Sequence, residues 1–154
     1  MNDAEQYLQD ISALHREVHQ QVREAIDGLE GAALNWTPGP ETSAIGTIVV
    51  HALGAEAEML RNLLEIPTAR DRDAEFAAQV HEPAALLRLL DAAAADWAQL
   101  ASRLQAGDLR TLRPRPHKPI PQSGLYWLMR NYGHLREHLA QIQLTRQLYL
   151  ARAT

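Results

Sequence analysis

Residues 131–150, NYGHLREHLAQIQLTRQLYL, decide the fold class. Leu135, Leu139 and Ile142 recur there at three- and four-residue spacing, and the pattern extends upstream through Leu125, Leu128 and Tyr132 and downstream to Leu148. That period sets the apolar residues on one side of an α-helix. Ser123 stands where a hydroxyl can cap its first turn. The same stretch holds His134 and His138 four positions apart, so both imidazoles point the same way, one turn from each other.

Three further segments repeat the pattern. Tyr7, Ile11, Leu14, Val18, Val22, Ala25 and Leu29 make a first stripe, with Asp3 placed to cap its start and Gly28 or Gly31 to end it. Ile45, Ile48, Ala52, Ala55, Met59 and Leu63 make a second, with Thr42 or Ser43 as caps and Pro67 as its stop. Leu86, Leu90, Ala93, Trp97, Leu100 and Leu104 make a third, from Pro83 to Gly107. Strand signals are nearly absent. Four one-sided helices are most simply solved as an all-α four-helix bundle, expected to occupy residues 1–154 as one domain. The links at 66–82 and 108–122 are long, which allows a crossover and can cover one end of the bundle.

Composition removes several functions. The 154 residues include no cysteine, so disulfides, thiolate metal sites and a cysteine nucleophile are excluded. A net charge of −4 gives no general attraction to nucleic acid or anionic lipid. No apolar run is long enough to span a bilayer, and the polar start MNDAEQYLQD is unlike a signal peptide, so a soluble cytoplasmic protein is expected. The one basic stretch, RTLRPRPHK at 110–118, reads as a solvated loop in preference to a substrate- or phosphate-facing one. Trp36 and its neighbouring prolines read as an anchor for the first link, and Tyr126, Trp127 and Tyr132 as core.

Any metal must therefore rest on His, Asp or Glu. Two of the chain's seven histidines form the 134/138 pair, and His15 and His19 form a second pair at the same spacing; by spacing alone the pairs are equal. A solvated or helix-pairing role is expected for His15 and His19, and loop positions for His81 and His117. His51 lies on the inward-leaning flank of the second helix and is a third candidate ligand. Neutral imidazoles suit Zn, Ni or Fe.

LNWTPGPETSAIGTIVVHALGAEAEML at 34–60, followed late in the chain by YGHLREHLAQIQ at 132–143, resembles the DinB-like superfamily of four-helix bundles. That superfamily includes metal-dependent bacillithiol and related thiol S-transferases. The resemblance runs from Trp36 and Pro38 through the single histidine of the second helix to the His-x-x-x-His of the fourth. It implies a divalent metal held by His51, His134 and His138, and a homodimer. Glu137 and Gln141 stand where some members carry further histidines.

Three nitrogen ligands leave a coordination position open. The expected activity is a metal-dependent transfer in which a low-molecular-weight thiol, supplied by the substrate, attacks a small electrophile. Hydrolysis at the same ion is the runner-up, and a non-catalytic stress-associated binding or dimerisation module the third reading. Glu58, on the face of His51, could act as a base or as a partner behind the ligands. Gln141 could orient a ligand or a water.

Overall fold

The computed structural model describes residues 2–152. Its helices are α1 (Asp3–Ile26), α2 (Gly31–Leu34), α3 (Ile45–Leu63), α4 (Arg72–Phe76), α5 (Pro83–Ala101), α6 (Ala106–Arg110) and α7 (Gly124–Ala151), and a two-stranded antiparallel hairpin, β1 (Leu112–Arg115) and β2 (Lys118–Ser123), precedes the last of them. The four long helices are the four expected. Among the described residues no helix is long and apolar enough to cross a membrane.

The helix ends follow local chemistry, in places with a different residue from the one expected. Asn2, one position before Asp3, caps α1 by accepting from the Glu5 amide, and the Glu5 carboxylate returns a bond to Asn2. Ser123 caps α7 as expected. Neither Thr42 nor Ser43 caps α3: its N-cap is Ala44, and the Thr42 hydroxyl closes a turn on the Gly39 carbonyl. Gly107 lies within α6 and is not the stop of α5, which ends at Ala101.

The long helices pack in the ring α1–α7–α3–α5, so α1 and α3, consecutive in the bundle, face each other across a diagonal. One apolar cluster joins the second half of α1 (Val18, Val22, Ala25) to the first halves of α3 and α5 and to Leu135, Leu139 and Ile142 of α7. The other joins Ile11 to Met59, Leu60, Leu63, Trp97, Leu100 and Trp127. The path is therefore up, down, down, up, and α3 and α5 are parallel neighbours. A parallel pair needs a return path, which the segment between Leu63 and Pro83 supplies. It runs back along α3, placing Glu75 beside His51 and Gly54, the Ala78 carbonyl on Thr47, and Val80 against Gly46. Covered on several sides, α3 buries 14 of its 19 residues and so lacks the clean polar face of a surface helix.

Between the two apolar clusters lies a polar layer. Glu56 of α3 accepts from His15 Nδ1 and His19 Nε2 of α1, both at 2.7 Å, and the His15 ring stacks on Trp97 at 3.6 Å between centroids. His15 is 0% exposed and His19 7%, which corrects the solvated reading in favour of helix pairing. The signal for it was a carboxylate midway along the most apolar helix, since such a group is not buried without donors.

The hairpin is a second correction. Its strands carry arginine and proline where an amphipathic strand carries alternating apolar residues, so no period-two apolar signal exists to read. The alternation is inverted: Arg113 and Arg115 turn inward while Leu112 and Ile120 are largely exposed. The segment read as a solvated basic loop thus delivers a buried guanidinium to α3.

Candidate metal centre

His51 projects from α3 toward His134 and His138 on the adjacent face of α7, and one ring nitrogen from each lies within 4.8 Å of the others. Among the described residues no other group of three His, Asp or Glu side chains converges in this way. The Nε2 atoms of His134 and His138 are 2.9 Å apart. Two nitrogens bound at about 2.1 Å to one ion stand roughly 3 Å apart at a right angle and about 3.4 Å apart at the tetrahedral angle, so the pair lies near the spacing of two ligands to a shared ion.

The outer nitrogens are oriented by neighbours. His51 Nδ1 lies 3.1 Å from Glu75 Oε2, and since a carboxylate only accepts, Nδ1–H donates and Nε2 keeps its lone pair. Arg70 grips the same carboxylate twice, Nε to Oε1 and Nη2 to Oε2, each at 2.7 Å. The 3.2 Å approach of Arg70 Nη2 to His51 Nδ1 is that of two donors converging on one oxygen. His138 Nδ1 donates to Gln141 Oε1 at 2.8 Å, again freeing Nε2. His134 Nδ1 is buried without a partner.

Electrostatics favour the neutral form of two of these rings, His134 and His51. Burial first, then the cationic forms of His138 and His51 and the guanidiniums of Arg70 and Arg115, push His134 down to about 3. Burial also lowers His51, although Glu75 opposes it. A neutral imidazole at physiological pH is the ligand form.

Glu58 accepts from Arg70 Nη1 at 3.3 Å and from Arg115 Nη2 at 3.0 Å, so its Oε2 is engaged by two guanidiniums brought from the return segment and the hairpin. Burial, together with Arg70 and Arg130, pulls Arg115 down against the upward effect of Glu58. His51 and His134 open on a cavity of about 630 Å³ whose wall includes Arg70, Arg115, Tyr126 and Asn131. Gln141 stands behind His138, and Tyr126 lies on the cavity wall and not in the core. Trp127 is core, its Nε1–H donating to the Arg113 carbonyl at 2.8 Å. His117 sits in the hairpin turn and His81 in an exposed bend, both loop positions as expected.

Arg70, Glu75 and Arg115 were not identifiable from the sequence. They lie in links without periodicity, and only the charge of the 110–118 stretch hinted at one of them.

A family model described as the DinB superfamily matches residues 14–142, a span that contains all three converging histidines. The chain belongs to the DinB superfamily. The conserved protein of locus from Enterococcus faecalis, a solved crystal structure, superposes on this DinB-superfamily chain with a TM-score of 0.77 over 93% of this chain and 96% of that one. At 16% identity that likeness concerns the fold alone. No curated protein matches the sequence.

Gly54 shows how tightly the support behind His51 is built. A Cβ at this position would overlap Glu75 Oε1, the far end of a flexible side chain. Gly54→Ala is therefore expected to shift the carboxylate off Arg70 and His51 while leaving the helix intact. Loss of such a support behind a ligating histidine weakens metal binding by about 10–100-fold. Competition titration with a chromogenic chelator measures this, and an unchanged affinity would show that Glu75 does not orient His51.

Proposed function

We propose that His51, His134 and His138 bind one divalent metal ion, Zn, Ni or Fe, and that the protein is a metal-dependent transferase acting on a low-molecular-weight thiol. The observation that carries the reading is the convergence of three imidazoles, two of which have their outer nitrogens occupied so that Nε2 is left as the donor. A bound ion would supply the Lewis acidity that keeps a small thiol deprotonated at neutral pH.

The chain's own groups have separate tasks in this reading. Glu75 and Gln141 fix the tautomers and ring planes of His51 and His138. Arg70 holds Glu75 in place, and Glu58 anchors Arg70 and Arg115 in a positioning role and not as a base. The cavity beside His134 receives the electrophile. With no cysteine in the chain, the thiol comes from the substrate. We propose a homodimer as well, joined through the outer face of α7, where Leu144 and Leu148 are exposed. Sedimentation separates the 17.2 kDa chain from twice that mass.

Elemental analysis of untagged protein tests the metal, with near one equivalent expected in the wild type and none in His134→Ala. For the chemistry, cysteine or coenzyme A is supplied with an activated chloroarene and thiol consumption is followed. Turnover of an ester probe without added thiol would replace transfer by hydrolysis, and a metal-free wild type would remove both.

A further inference from the structure

The cavity beside the histidines has a charge opposite to that of the chain. Although the whole protein carries −4, Arg70, Arg72, Arg115, Lys118 and Arg130 line this one space, against Glu58 and Glu137. Arg70 and Arg115 are bound to Glu58, and Arg70 also to Glu75. Arg72, Lys118 and Arg130 have no carboxylate partner among the described residues. Arg115 has a side chain only 8% exposed, yet its Nε–H finds no acceptor. A buried guanidinium N–H without an acceptor is costly, so Arg115 is held in place by its Glu58 ion pair and the Ala55 carbonyl.

The placement is directional. Arg130 precedes His134 by four residues on α7, so the two side chains stand one turn apart on the same face. Lys118 begins β2 and Arg115 ends β1, at the turn of the hairpin that forms the facing wall. Cations thus come from two elements toward one volume. Concentrated in a cleft of an otherwise acidic protein, they attract anions selectively.

We propose that this end of the cavity binds an oxyanion group of the substrate, a carboxylate or a phosphate, through Arg130 and Lys118, with the reacting end of the molecule directed toward His134. Only the last clause rests on the metal-site reading. The proposal narrows the substrate to molecules that bear an acid group about one helical turn from the reacting atom.

The test titrates the full-length protein as purified with succinate and, separately, with inorganic phosphate, at low and moderate salt. Saturable binding of at least one probe, weakening with salt, is expected, and the tighter probe tells a carboxylate from a phosphate. Arg130→Gln and Lys118→Gln, both at exposed positions, should each weaken it about tenfold or more without changing metal content. His134→Ala should retain the anion affinity although it lacks the ion. Absence of binding, wild-type affinity in both glutamine variants, or loss of anion binding along with the metal in His134→Ala would overturn the proposal. A wild type that binds the anion but holds no metal would sink the transferase reading and leave this one standing.

Discussion

Glu56→Ala is expected to lower the unfolding free energy by roughly 3–5 kcal/mol, the range found when one member of a buried charged cluster is removed. The cost has two parts. Two charge-assisted hydrogen bonds from His15 and His19 disappear, and both donors remain in a layer where His15 is 0% exposed and Glu56 only 3%. Glu56→Gln should cost less, because an amide accepts from one ring and can donate to the other once that ring changes tautomer. Urea unfolding of the three proteins measures the order; equal stability of wild type and Glu56→Ala would mean that the diagonal tie contributes nothing.

The same cluster sets a direction in pH. Burial pushes the Glu56 carboxyl up, but the hydrogen bonds from His15 and His19 outweigh it and leave it below its ordinary 4.5. Burial lowers His15 beneath 6.5 despite Glu56. For His15, the unfolded chain binds a proton that the folded chain refuses between 6.5 and the folded value. For Glu56, the stabilisation is complete above 4.5 and is lost as pH falls through the folded value. Both signs agree, so stability should decrease as the pH is lowered from about 7. The wild-type urea midpoint is expected to fall from pH 7.5 to pH 5.5, and a rise would contradict the assignment of His15.

The second large effect concerns the proposed ion. His51→Ala and His138→Ala should each weaken metal binding by more than the about 10–100-fold that follows loss of an outer partner, because a donor atom itself is removed. His19→Ala should leave metal affinity unchanged while destabilising the fold. Metal titration read beside urea unfolding separates the pairs: one histidine pair controls affinity, the other stability. If His19→Ala and His138→Ala lost the metal equally, the division of labour between the pairs would be wrong.

The helices were legible because Ile11, Val18, Val22, Leu86, Leu90, Leu135 and Leu139 bury a single face, and a buried face imposes its period on the sequence. The 51/134/138 set was singled out by its order in a family pattern; spacing alone could not separate it from His15 and His19. Their actual partner, Glu56, lies across a diagonal, and diagonal contacts depend on how helices are threaded, which no local period records. Arg70, Glu75 and Arg115 were hidden for a related reason. They act through single long side chains reaching from irregular backbone, and Pro114, Pro116 and the left-handed His117 shape a turn without an apolar signature.

The return segment along α3 has an evolutionary corollary. Because Arg70 and Glu75 are carried by this strap outside the four main helices, mutation there can retune the basicity and tilt of the His51 ring with little disturbance to the interior. In this chain the support behind His51 can thus change through a short stretch of sequence while the bundle beneath it stays fixed.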